Sequence, residues 1–147
     1  MQFKTLSLSL LALASSVLAV PSYQSWHSVS VTYDEAYDNP GYSLDRVACS
    51  DGSHGLRTKG YNWLGDLPRF PYVGGTAAIG GWNSDQCGTC WQLTYGHKSI
   101  YVLAIDQTQQ GWNIAHRAMD VLTDGQASKY GRINANAAPV ESWRCGL

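Results

Sequence analysis

The chain has 147 residues, 44% hydrophobic, 12% aromatic and only 14% charged, with a formal net charge of −1. That length supports one domain with its own core, and the apolar content excludes a disordered or collagen-like chain. A charge near zero, with Lys and Arg scattered singly, excludes an electrostatic grip on nucleic acid. Charge is sparse against the roughly 25% of a typical soluble protein. Six Trp and nine Tyr accompany it, so aromatic, amide and hydroxyl groups are left to make the surface wettable.

Residues 1–19 have the pattern of a secretory signal peptide. Lys4 is their one charge, Leu6 to Leu13 is a short apolar run, and Val17-Leu18-Ala19 has the form of a cleavage site. The run is too short to span about 30 Å of hydrocarbon, and Pro21 ends it. Cleavage after Ala19 removes Lys4 and no acid, leaving 128 residues with a formal charge of −2. No later segment is apolar enough to cross a membrane, so the chain reads as secreted, extracellular or cell-wall associated.

Residues 20–28 read as a short polar N-terminal arm, and 29–147 as one domain without repeat or linker. Val29-Ser30-Val31-Thr32-Tyr33 alternates apolar and polar residues, the period of a half-buried strand. Asp38-Asn39-Pro40-Gly41 signals a turn, Leu44 to Ala48 a short helical turn, and Gly60 to Pro71 a loop. Trp91 to Tyr95 and Ser99 to Ile105 read as strands joined through Gly96-His97-Lys98. The helical spacing of Ile114, Ala118, Met119 and Leu122, with Asn113 as N-cap and Gly125 as stop, predicts a helix from Asn113 to Leu122. Residues 130–141 read as a final strand region. Many short strands with few helices predict a small β-barrel with helical excursions.

The four cysteines, Cys49, Cys87, Cys90 and Cys145, suit two structural disulfides in an oxidising compartment, and their spacing leaves three pairings open. Cys87-Gly88-Thr89-Cys90 precedes a predicted strand rather than opening a helix, against a thiol-redox motif. No further CxxC or HxxxH supplies zinc ligands, so no metal and no cofactor is expected. Nucleophile elbows, zinc-protease and nucleotide-binding motifs are absent, and no Asn-x-Ser/Thr sequon occurs. Asp106 ends the apolar run Val102 to Ile105, so a core strand would carry it to the barrel rim, as a functional acid or as an ordinary turn residue. The aromatic excess suggests polysaccharide, because pyranose faces match the body of Trp or Tyr. Trp63, Trp82, Trp112, Tyr33, Tyr37 and Tyr42 lie beside turn residues, either facing sugar or packing against loops. Hydrolysis would need a second carboxylate, and Asp34, Asp51, Asp85 and Asp120 are equivalent candidates.

Several ordered motifs resemble the cerato-platanin family of secreted fungal proteins: Val29 to Asp34, Val47 to Gly52, Gly81-Trp82-Asn83-Ser84, Cys87 to Trp91, and Asp106 with Gly111-Trp112-Asn113. The resemblance covers about residues 29–147. It implies a mainly β fold with short helices, a six-stranded double-psi β-barrel, and disulfides Cys49–Cys87 and Cys90–Cys145. It also implies a non-catalytic protein that binds chitin-derived N-acetylglucosamine oligomers, with cellulose among the other cell-wall polysaccharides in view. Expansin-like loosening and elicitation of plant defence, with a plant host receptor as a partner, would follow. No nucleic acid, no membrane span and a monomer are expected. Asp106 matches the acid of the expansin-like site and Asn113 a residue of the sugar-binding depression, with Tyr33, Asp34, Ser50 and Asp51 near the groove. Two alternatives stand beside this reading. One is a hydrolytic endoglucanase on the same barrel with Asp106 as acid, and the other an interfacial or signalling surface protein recognised by a host. Two departures from the family pattern are the longer start, with Trp26, and the glutamines Gln107, Gln109 and Gln110 after Asp106.

Overall fold

A computed structural model describes residues 25–147. The signal peptide and most of the N-terminal arm therefore lie outside the described residues. Six strands close into a barrel: β1 (His27–Asp34), β2 (Val73–Thr76), β3 (Cys90–Tyr95), β4 (Lys98–Gln107), β5 (Trp112–Ala115) and β6 (Arg132–Val140), in the spatial order β1-β5-β2-β4-β3-β6. β1–β5 and β2–β4 run parallel, and the other neighbours are antiparallel. This is the mainly β, six-stranded barrel expected from the sequence. Two helices, α1 (His116–Leu122) and α2 (Ala127–Tyr130), and four 3-10 turns complete it.

Alternation explains most of the strands. Along β6, Ile133, Ala135 and Ala137 are buried while Arg132, Asn134 and Asn136 are exposed, the period of a sheet with one wet face. β4 begins the same way, but Val102, Leu103, Ala104 and Ile105 are all buried. The loop around Cys49 explains the change. It lies along the end of this strand, with Cys49 N–H donating to Ile105 O at 3.1 Å, while Gly88 N–H donates to Ala104 O at 2.8 Å. A strand covered on both faces reads as a continuous apolar run. The hairpin turn is Gly96-His97, since Tyr95 pairs with Lys98. Leu44–Arg46 forms the expected helical turn, and Asn39 Oδ1 accepts from Gly41 N–H at 2.9 Å in the expected turn.

Two readings are corrected. β1 begins at His27 and so takes in His27 and Ser28, the last residues of the segment read as an arm. Residues 112–115 are strand rather than helix, and α1 starts at His116 without a side-chain cap from Asn113. Asn113 pairs with Thr32 on β1 and Gly75 on β2, and filling this slot in the barrel outweighs local helix preference. The four residues of β2, Val73-Gly74-Gly75-Thr76, carry too little alternation to be read as a strand, yet all are buried.

Disulfides join Cys49 to Cys87 and Cys90 to Cys145, leaving no free cysteine among the described residues. The first staples the loop beside β4 to the turn before β3. The second ties β3 to the C-terminal 3-10 turn Ser142–Cys145. Among the described residues no helix is long and apolar enough to cross a membrane.

Candidate functional site

β2 lies between β4 and β5, and its Gly75 is opposite Asp106 on one side and Asn113 on the other. Asn113 is in turn opposite Thr32 on β1. Thr32, Asn113, Gly75 and Asp106 thus form one row across four strands. At the usual strand spacing the two outer members of the Asn113-Gly75-Asp106 segment are about 10 Å apart. Gly75 leaves the middle without a side chain. A Cβ there would be 3.2 Å from Gln107 O, and at Gly74 it would meet Asn113 O at 2.6 Å. The double glycine therefore lets the three backbones close up and floors the row between its two polar ends.

Asp106 is half-buried and heavily used. Its Oδ1 accepts from Ala48 N–H at 2.9 Å and Gln107 N–H at 2.8 Å, while Oδ2 accepts from the Tyr37 hydroxyl at 2.8 Å. A carboxylate offers about four lone-pair sites, so about one remains, on Oδ2. Of the two alternatives for Tyr37, facing sugar or packing inward, the structure selects the second, since it is only 6% exposed. Burial, then the charge of Asp106 and the hydrogen bond to it, push its phenol far above the ordinary value. Tyr37 consequently stays a donor across the physiological range, fixing the carboxylate from below.

Asn113 is half-buried, and its Oδ1 accepts from Thr32 Oγ1 at 3.0 Å. No other residue among those described engages its amide NH2, which is left for a ligand or water. Asp34 serves as an N-cap, accepting from Ala36 N–H at 2.8 Å. Tyr33 packs edge-on against His116 with ring centroids 4.5 Å apart. These two positions follow directly on Thr32 but are largely occupied by their own contacts.

Ser50 and Asp51 belong to a second cluster. Asp51 Oδ1 accepts from the Trp82 indole N–H at 2.6 Å, and Ser50 Oγ donates to it at 3.4 Å. Asn83 Oδ1 accepts from His54 N–H at 2.9 Å, and His54 Nδ1 and Asn83 O are 3.1 Å apart. These contacts join loop 50–54 to loop 81–84, leaving Trp82 64% exposed. Gln107 Nε2 donates to Gly80 O at 3.2 Å, linking the Asp106 strand to the Trp82 loop. Gln107 thus spends its side chain on the protein, while Gln109 and Gln110 are exposed.

The Trp82 hydrogen bond is the main influence holding the Asp51 carboxyl below its ordinary value, with backbone and Ser50 hydrogen bonds and the Arg57 charge adding to it. A depressed folded value stabilises the contact fully above the unfolded carboxyl pKa, and that stabilisation is lost as pH falls through the folded value. The Asp51–Trp82 contact is therefore expected to weaken only as pH falls below the ordinary carboxyl value. Following the Trp82 indole N–H resonance during acid titration checks this. A midpoint at or above that of an unperturbed Asp would contradict it.

Trp63 is also exposed, at 49%, and Tyr42 is half-buried. Trp112, for which the sequence left sugar-facing and packed alternatives, is a core residue at 2% exposure, packed edge-on against Trp91. Its neighbours on an alternating strand explain the outcome: Asn113 faces out, so Trp112 faces in. The remaining carboxylates proposed as partners for Asp106 are engaged elsewhere. Asp85 contacts Gln86 Nε2 at 3.3 Å, and Asp120 accepts from Ala127 N–H at 3.1 Å. Among the described residues no three His, Cys, Asp or Glu side chains converge to hold a metal.

Residues 29–147 match the family model described as cerato-platanin. A heat-stable 19 kDa antigen of Coccidioides immitis is 44% identical over 142 residues, covering 95% of this chain and 97% of its own length. The crystal structure of cerato-platanin 1 from M. perniciosa is 48% identical with a TM-score of 0.77, over 80% of this chain and 98% of that one. The solution structure of the fungal elicitor cerato-platanin is 39% identical with a TM-score of 0.73, over 80% and 96%. Shared sequence along nearly the whole domain, on the same barrel, places this chain in the cerato-platanin family.

Proposed function

We propose that this chain is a secreted, non-catalytic carbohydrate-binding protein whose ligand lies along the Asp106-Gly75-Asn113 row. N-acetylglucosamine oligomers of chitin are the expected class, with cellulose as a related wall polymer. The observation that carries the reading is the pairing of one acceptor site on Asp106 with the free amide of Asn113, across a floor without side chains. A saccharide presents both donors and acceptors at its rim, and such a row offers the complement of each. The exposed Trp82, on the loop that Gln107 ties to the end of β4, supplies an apolar face for ring stacking. Wall loosening then follows from competing with polymer–polymer hydrogen bonds, with no covalent step.

The same geometry disfavours the endoglucanase reading. A general acid must present a proton to the leaving oxygen, and a second carboxylate must face it. Asp106 instead receives three donors, and Asp34 and Asp51 are held by their own partners. Elicitation of host defence is supported by the likeness to the fungal elicitor cerato-platanin, and secretion by the signal pattern.

An amide NMR titration with chitohexaose tests the reading. Saturable shifts around Asp106 and Asn113 are expected, and Asn113→Ala is expected to weaken binding by about fivefold to tenfold through loss of one or two hydrogen bonds. Unmoved signals at both residues would refute it. Assaying defence induction with the same variant separates the two activities, since a host that reads the surface itself would respond undiminished.

A further inference from the structure

The outer face of the sheet formed by β1, β6, β3 and β4 carries a second polar row. Register pairs Ser28 with Asn136, Asn136 with Thr94, and Thr94 with Ser99. These four residues therefore cross four strands at one level, a span of about 14 Å. Beside the row Gln92 faces the same way, and Trp26 stands one residue before the first pair of β1, His27–Ala137. Trp26, Gln92, Thr94, Ser99 and Asn136 line an open hollow of about 380 Å³, within the size range of small-ligand sites.

The chemistry of this hollow is specific. None of its five lining residues is charged, which disfavours ionic ligands. Trp26 is 44% exposed and offers an apolar ring face. The primary amides of Gln92 and Asn136 are engaged by no other residue among those described. Thr94 Oγ1 and Ser99 Oγ share one hydrogen bond at 2.7 Å, leaving each hydroxyl further bonding capacity. An apolar peptide would strand these amides and hydroxyls without partners, at a cost. Pairing with a strand of another chain is closed off, because the barrel is closed and has no free edge.

We propose that this hollow is a second saccharide-binding site, taking an uncharged oligosaccharide stacked on Trp26 and hydrogen-bonded to Gln92 and Asn136. It is separate from the Asp106 row and stands whether or not that row binds sugar. Trp26 precedes the segment that matches the family model, residues 29–147, while the other four lining residues lie within it. Together the two sites would let one molecule contact two chains of a wall polymer.

The test uses the secreted chain with cellohexaose and chitohexaose in separate NMR titrations, read at side-chain nitrogens. The Trp26 indole N–H and the side-chain amides of Gln92 and Asn136 are expected to shift saturably with at least one sugar. Trp26→Ala should weaken those shifts by about tenfold, while signals around Asn113 respond as in the parent chain. Asn136→Ala, a surface change on an intact sheet, should weaken the same set. The arm that responds identifies the sugar class. Side-chain signals that stay fixed with both sugars overturn the proposal, whatever Asp106 and Asn113 do. Signals that move with protein concentration alone assign the face to a second copy of the chain, and contacts from residues 20–24 filling the hollow assign it to the chain itself. Either result overturns the proposal.

Discussion

Replacing Cys90 and Cys145 together by alanine is expected to lower stability by about 4 kcal/mol. The bridge closes a loop with a sequence separation of 55, and a loop of that length removes about 4 kcal/mol of freedom from the unfolded chain. Both sulfurs are buried, so the loss of packing adds to the effect. For a domain of this size the melting temperature should fall by roughly 15 °C. The change should also free the C-terminal turn, where Arg144 stacks on Tyr101 at 5.2 Å and donates to its hydroxyl at 2.9 Å. Calorimetry of the oxidised parent and the double variant measures it. A drop below about 1 kcal/mol would mean that the reduced, unfolded chain is already constrained near this closure.

Asp106→Ala is expected to cost about 3 kcal/mol, and this matters for how binding is read. The substitution leaves three donors without their acceptor: Ala48 N–H, Gln107 N–H and the Tyr37 hydroxyl. Each such loss in a shielded site costs about 1 kcal/mol or more, and hydrogen bonds to a charged group lie at the upper end. Asp106 thereby ties together the 3-10 turn Glu35–Asp38, the Cys49 loop and the end of β4. Asp106→Asn should cost less, about 1 to 2 kcal/mol. Its remaining carbonyl oxygen can still accept from the backbone amides. Urea unfolding of the three proteins checks the order. Equal stability of Asp106→Ala and the parent would show that water replaces the carboxylate at no cost. A loss of sugar binding in Asp106→Ala alone therefore mixes site chemistry with a loosened rim. Asn113→Ala is the cleaner probe, because Asn113 accepts only from Thr32.

Asp106 itself illustrates what the sequence could reveal. Its place after Val102-Leu103-Ala104-Ile105 put it at the end of a core strand, and the structure keeps it there. Its two roles at that position, functional acid or strand-end acceptor, looked equal because the donors lie far away in sequence. Tyr37 is 69 positions from Asp106 and Ala48 is 58. Nothing local marks them. Tyr37 sits beside turn residues, which leaves its ring facing out or in, and the turn folds it inward. Gly75 was equally silent, since a lone pair of glycines signals flexibility until two neighbouring backbones are seen to crowd it.

The hairpin of β3 and β4, the turn at Asn39 to Gly41, the alternation of β1 and β6, and an even number of cysteines follow from the amino-acid sequence alone. Their causes are local: side-chain period, turn chemistry and composition. The ordered motifs add the family and, through it, the barrel and the disulfide pairing. Tertiary structure decided the rest. It made Asn113 a strand residue, buried Tyr37 and Trp112, and aligned Asp106, Gly75 and Asn113 in one row. It also set Trp26 beside Gln92 and Asn136. The physical reason is closure of the barrel. Each strand's register is fixed by neighbours that arrive from distant parts of the chain, and that register alone determines which polar groups meet on one face.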